Sequence, residues 1–236
     1  MKFFYIVYQY FIVFPILLVI TFVTALMTIL FTAWKNSAFI VGMQRFWARC
    51  FYYLCFIPVE VTGKENLQEG QSYVFVCNHQ SIYDIFVIYG WLPVVFKWIL
   101  KQELRKMPFV GVACEKAGHI FLDRSNARKA FHSVETAKQT LQNGVCVVIF
   151  PEGTRTSDGQ VAPFRHGAFK MAFDLDLPIV PLSLNGCYEL MNRRQRYLTW
   201  HRVKLHIDKP IYLTEEDKEN RAETIEKIRN IVIKNI

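Results

Sequence analysis

This chain of 236 residues lacks several signatures of common enzyme chemistry. It has no G-x-S-x-G elbow and no P-loop, which argues against a serine hydrolase or a nucleotide-driven enzyme. Its six cysteines (Cys50, Cys55, Cys77, Cys114, Cys146 and Cys187) form no CxxC pair and no zinc-like spacing. Several of them sit in apolar runs, where a reduced thiol behaves as a small hydrophobe, so a reducing compartment fits. His119, His132, His166, His201 and His206 share no metal-ligand spacing, so no metal is expected. Internal repeats and low-complexity tracts are absent as well. A chain of this length then holds one domain of ordinary size plus an appendage.

Charge is missing altogether from residues 3–34, a stretch rich in Phe, Ile, Leu and Val. It passes the threshold of about 18 apolar residues for a membrane helix. As one helix it would stretch about 48 Å, against a hydrocarbon core of about 30 Å, so it must tilt, bend or lie flat. Pro15 lacks an amide hydrogen and is a candidate kink that divides 3–14 from the stronger stretch 16–32. The run exceeds a signal-peptide core of about 7 to 15 residues and no small-residue cleavage site follows it, so a retained anchor is expected. Lys35, Arg45 and Arg49 follow the run and only Lys2 precedes it, so a spanning helix would place the following domain on the cytoplasmic face of the membrane. Residues 34–56 mix those basic groups with Phe39, Phe46, Trp47, Phe51, Tyr52 and Tyr53, fitting either an interfacial helix or a core helix of the domain.

What is present in excess is positive charge: 28 Lys and Arg against 20 Asp and Glu give +8, which suits a membrane surface, a phosphorylated substrate or nucleic acid. Arg193, Arg194 and Arg196 come with no DNA or RNA motif, so they read as a solvated or membrane-facing patch and no nucleic-acid partner is expected. After Pro58 apolar bursts alternate with helical patterns, the texture of an α/β domain. Strands are expected at 73–77, 94–100, 119–122, 145–150, 179–184 and 203–207. Helices are expected at 126–142, where Ala127, Ala130, Phe131, Val134, Ala137 and Leu141 keep helical spacing, and at 167–175 and 214–236. The last opens on Thr214 and three acidic residues, which suit a helix N-terminus.

Chemistry concentrates after two of the expected strands. Asn78-His79-Gln80-Ser81-Ile82-Tyr83-Asp84 follows the first and leads into a helical run, so the chain can turn back and bring Asp84 to His79. An aspartate accepting one imidazole N–H fixes the tautomer and leaves the other nitrogen as a general base. Alone, the pair also fits a loop whose polar groups satisfy one another. Phe150-Pro151-Glu152-Gly153-Thr154-Arg155-Thr156 follows another strand and reaches the same edge if the strands are parallel. Arg155 offers a planar fork for phosphate, Gly153 permits close backbone approach, and Glu152 can orient substrate hydroxyls or the arginine. A tight turn with an ordinary ion pair is the alternative.

With these residues in view, the chain resembles the PlsC-type glycerophosphate acyltransferase family, and within it the 1-acyl-sn-glycerol-3-phosphate acyltransferases. Four ordered blocks carry the likeness over residues 59–213: 78–84 matches NHxxxxD, Gly118 to Arg124 (GHIFLDR) is similar to GxxFxxR, 150–156 matches FPEGTR, and Pro178 to Pro181 is similar to the final proline block. The resemblance implies a mixed, largely parallel sheet flanked by helices, preceded by an N-terminal membrane-embedded helical segment. It divides the chain into a hydrophobic anchor (1–34), an amphipathic or interfacial connecting helix (35–57) and an acyltransferase domain (58–236). It implies a catalytic pair, His79 and Asp84, and an acceptor and phosphate site containing Lys101, Arg124, Glu152, Gly153, Thr154 and Arg155. Arg124 also fits a structural partner of Asp123 or a helix terminus. Pro178 and Pro181 are expected to shape the strand entry and the wall of an acyl tunnel. No cofactor is implied; the partners are the lipid bilayer, lysophosphatidic acid as acceptor, and acyl-CoA or acyl carrier protein as donor.

Overall fold

A computed structural model describes residues 2–32, 37–107, 109–122, 141 and 144–236. Seven strands, β1 (Val59–Thr62), β2 (Val74–Cys77), β3 (Phe96–Lys101), β4 (Ile120–Leu122), β5 (Cys146–Ile149), β6 (Ile179–Asn185) and β7 (Val203–Ile207), form one sheet in the order β1-β7-β6-β2-β5-β3-β4. Every pairing is parallel except β6 with β7. The sheet is therefore mixed and largely parallel, as the resemblance implies. β2 and β5 are buried at every position, the mark of central strands covered on both faces. Along β2 the period of two separates the layers. Phe75 and Cys77 join the core under the N-terminal helices, while Val74 and Val76 join a second core with Phe169, Ile225 and Ile228.

The expected strands all form. β1 was not among them: four residues with alternating burial at the sheet edge carry too short a pattern to stand out. The expected helix 214–236 is two helices, Glu215–Glu219 and Arg221–Lys234, broken at Asn220. Thr214 caps the first, accepting from the Asp217 amide at 3.2 Å while its own amide donates to the Asp217 carboxylate at 3.0 Å. The expected helix 126–142 falls almost wholly outside the described residues. Pro178 stands at the strand entry, its carbonyl accepting the Val74 amide at 3.0 Å.

The N-terminal run is helical in two pieces, α1 (Lys2–Tyr8) and α2 (Phe14–Thr32), joined by a π-turn over Gln9–Val13. The Phe14 amide donates to the Gln9 carbonyl, five residues back, and this widened turn lies just ahead of Pro15, which has no amide to donate and crowds the preceding turn. The run packs along the domain. Tyr5, Tyr8 and Tyr10 donate their hydroxyls to the carbonyls of Cys55, Leu54 and Arg196 at 2.8, 2.9 and 2.8 Å. Gln9, 7% exposed, donates to the Leu198 carbonyl at 3.0 Å and accepts the Leu198 amide at 2.8 Å. Val13 and Leu17 enter the core, whereas Phe3, Phe4, Phe11, Leu18, Val19 and Phe22 on the other side are exposed.

A third helix, α3 (Ser37–Tyr53), packs on α4 (Tyr83–Trp91), burying Ile40, Ala48, Cys50 and Tyr52 and exposing Phe39, Phe46 and Tyr53. Arg49 donates to the Gly90 carbonyl at 2.9 Å, and Arg45 reaches the Leu92 and Val94 carbonyls at 3.4 Å. Both cations thereby answer carbonyls that the end of α4 leaves without helical partners. Replacing Gln9 by Ala strands the buried amide and carbonyl of Leu198, at about 1 to 3 kcal/mol for each group. A clear drop in the thermal midpoint of the detergent-solubilised protein is expected; an unchanged midpoint would show that this clamp does not hold the helix.

Candidate active site

Because β2, β5 and β3 run parallel, their C-terminal ends meet at one edge of the sheet. His79 follows β2, Glu152 follows β5, and Lys101 is the last residue of β3. Arg124 follows β4 and lies outside the described residues.

The turn after β2 folds around one carboxylate. Asp84, fully buried in the first turn of α4, accepts on a single oxygen, Oδ2, from His79 Nδ1 at 2.8 Å and from the amides of Gln80 and Ser81 at 2.7 and 2.8 Å. With two amides already donating to Oδ2, that oxygen is the acceptor of the His79 contact as well, so the neutral ring carries its proton on Nδ1 and leaves Nε2 as an acceptor. The imidazole is 16% exposed and stacks on Phe150, with ring centroids 4.0 Å apart and planes 12° apart. Asp84 Oδ1 is buried without a hydrogen-bond partner among the described residues. Near it the Cys187 thiol is held well above its ordinary range, first by burial and then by the Asp84 charge.

Glu152 joins this turn to the one after β5. Its Oε1 accepts the His79 amide at 2.6 Å and its Oε2 accepts the Ala162 amide at 2.9 Å, and the residue is 2% exposed. Burial raises its pKa, while the two amides pull it back down. The carboxylate is thus committed to main-chain groups rather than turned toward open space. A second link runs from the Thr156 amide to the His79 carbonyl at 2.9 Å. Between these links the turn exposes Gly153 and Thr154 and leaves Arg155 half-buried. Gly153 has φ +73°, a conformation that strains side chains.

Several supports were not anticipated from the residues alone. Asn78, fully buried, exchanges two hydrogen bonds of 2.8 Å with the main chain of Leu184, pinning the His79 turn to β6. Ser81 Oγ donates to the Met191 carbonyl. Asn78 was within sight as the first letter of its block, but its partner lies 106 residues away and only the sheet order brings the two together. His119, in the second block, is structural: its Nδ1 accepts the Trp98 amide at 3.3 Å and its Nε2 pairs with the Tyr89 hydroxyl at 2.6 Å. Among the described residues no cluster of three or more His, Cys, Asp or Glu is arranged to hold a metal ion.

A histidine fixed by a buried carboxylate, beside a glycine-containing turn that carries an arginine, can act as a general base toward a hydroxyl and can offer a cation to an anionic group. A family model described as Acyltransferase matches residues 58–185. A sheep (Ovis aries) protein named 1-acyl-sn-glycerol-3-phosphate acyltransferase alpha is 36% identical over 160 residues, 67% of this chain and 56% of its own length. A Saccharomyces cerevisiae protein named 1-acyl-sn-glycerol-3-phosphate acyltransferase is 32% identical over 193 residues, 79% of this chain and 63% of its own length. The chain thus spans less than two thirds of the length of these relatives. The crystal structure of the 1-acyl-sn-glycerophosphate (LPA) acyltransferase PlsC from Thermotoga maritima is similar with a TM-score of 0.74 and 26% identity, over 94% of this chain and 93% of that one. The chain belongs to the acyltransferase family.

Burial, and then the nearby Lys97 charge, push the His119 pKa down to about 3. Between that value and the ordinary histidine value of about 6.5 the unfolded chain takes up a proton that the folded chain refuses. The neutral ring's contribution is therefore complete above about pH 6.5 and is lost as the pH falls toward 3. The thermal midpoint should decline across that window in the native chain and decline less in His119→Gln; identical slopes would contradict the assignment.

Proposed function

We propose that the chain transfers a fatty acyl group from acyl-CoA or acyl carrier protein to the sn-2 hydroxyl of lysophosphatidic acid, forming phosphatidic acid. The observation that carries this reading is the 2.8 Å contact of His79 with the buried Asp84, locked by Glu152 to the turn that bears Arg155. The names and similarity of the relatives support the acceptor. In this mechanism His79 Nε2 removes the acceptor hydroxyl proton as that oxygen attacks the thioester carbonyl. The tetrahedral intermediate collapses by breaking the C–S bond, and the leaving thiolate takes the proton from His79. No acyl-enzyme and no cofactor enter the sequence. Lys101, Arg124, Gly153, Thr154 and Arg155 form the acceptor and phosphate site, and Glu152 serves it by bracing His79.

The bilayer supplies the acceptor. The exposed row from Phe3 to Val19 is an apolar face that the described residues of the domain leave uncovered, while the opposite face is clasped to the domain from Tyr5 to Thr21. In this reading α1 and α2 lie along one leaflet, bringing the site to the lipid surface. The catalytic domain faces the cytoplasm, where acyl-CoA and acyl carrier protein reside; protection of the domain from protease added to the cytoplasmic side of sealed vesicles would overturn that placement.

Labelled acyl transfer from both donors to lysophosphatidic acid and to glycerol 3-phosphate tests the reaction. Product is expected from lysophosphatidic acid, with turnover falling by about 10² to 10⁴-fold in His79→Ala and in Asp84→Asn. Turnover that survives His79→Ala would refute the base, and wild-type transfer to neither acceptor would refute the assignment.

A further inference from the structure

Two arginines outside the four sequence blocks flank the turn after β5. Arg165 precedes the helix His166–Leu175, and its amide donates to the Pro151 carbonyl at 2.9 Å. Its side chain lies over Gly153: a Cβ at that position would meet Arg165 Nε, Cδ and Cζ at 3.2, 3.3 and 3.4 Å. Glycine here does more than supply a positive φ, because the missing side chain is the space the guanidinium fills. From the other side comes Arg193, on the loop 191–198 that Ser81 ties to the catalytic turn through the Met191 carbonyl. Arg193 Nη1 approaches the Arg155 carbonyl at 3.3 Å and Thr154 Oγ1 at 3.5 Å, while its Nε and Nη2 have no partner among the described residues. Arg165 and Arg193 are both exposed, and neither they nor Arg155 form an ion pair with any described carboxylate.

We propose that Arg165 and Arg193 act with Arg155 as a cradle for the acceptor's phosphate, and that this cradle selects lysolipids whose headgroup is a bare phosphate monoester. The proposal rests on the reading of acyl transfer to lysophosphatidic acid. Three arginines on or beside one exposed turn, none ion-paired with a described carboxylate, concentrate positive charge that an anion can answer. A phosphate monoester carries about −1.5 to −2 at neutral pH, and a diester headgroup carries one charge and fewer free oxygens. Guanidinium forks suit the three terminal oxygens of the monoester. Arg193 lies beyond residues 58–185, so this part of the site comes from the segment that also touches the N-terminal helix through Leu198. Both arginines are positioning residues; the proton transfer remains with His79.

The test compares wild type, Arg165→Gln, Arg193→Gln, Arg193→Lys and Arg194→Gln in mixed micelles, with lysophosphatidic acid as substrate and lysophosphatidylglycerol, a diester, as competitor. Arg165→Gln and Arg193→Gln should each raise KM for lysophosphatidic acid about tenfold while kcat stays within about twofold, and the diester's inhibition constant should move much less. Arg193→Lys should recover part of the loss, and Arg194→Gln, a neighbouring charge outside the cradle, should match wild type. Unchanged KM, a loss confined to kcat, equal shifts for both lipids, or an equal effect in Arg194→Gln would each overturn the cradle. Wild-type enzyme inactive on lysophosphatidic acid would instead overturn the underlying reading and the cradle with it.

Discussion

Glu152 is a buried carboxylate with both oxygens spent on main-chain amides, one from the turn after β2 and one from the segment leading to the helix His166–Leu175. Burying such a group is costly, and the cost shows as a raised pKa that the two amides only partly offset. What this arrangement secures is a fixed distance between the histidine turn and the arginine turn. Without it, the two turns would be tied directly by the Thr156 amide on the His79 carbonyl alone, and base catalysis loses efficiency when the base is displaced by as little as about 1 Å. Asp84 then sets the ring within the first turn, and Asn78 secures that turn to β6. The sheet brings the turns to one edge, and these polar residues convert proximity into a defined geometry.

The loop 191–198 extends the same rigidity toward the lipid. It receives Ser81 from the catalytic turn, reaches Thr154 and Arg155 with Arg193, and is held at Leu198 by Gln9 of the N-terminal helix. A residue in the middle of an otherwise apolar run is thereby two contacts away from the histidine turn. The apolar helix is accordingly more than a tether: one face completes the core of the domain with Val13 and Leu17, and the other stays uncovered.

The strands after Pro58 were legible because short apolar bursts bounded by turns are the pattern of buried strands, and the parallel pairing of β2 with β5 brings His79 and Glu152 to one edge as the α/β reading requires. β1 was not legible, since an edge strand of four residues shows little periodicity. The break at Asn220 escaped because helical spacing continues on both sides of it. Polar partners were the hardest to read. Gln9 gives no hint in sequence that it is buried against a residue 189 positions away. Arg45 and Arg49, counted as topology signals, are spent on the carbonyls around the end of α4. Glu152 reads in sequence as a group that orients substrate hydroxyls or the arginine, and its two oxygens also meet amides that no motif names. Periodicity reports which face of an element is buried; it does not report which distant main-chain group a polar side chain meets.

The mechanism depends on Asp84 holding His79 so that Nε2 is the base. Nitrogen-15 labelling of the histidines, with His79 assigned by comparison with a His79 variant, reads the proton position on the neutral ring directly. A protonated Nδ1 and an unprotonated Nε2 are expected; a neutral His79 with its proton on Nε2 would contradict the role of Asp84.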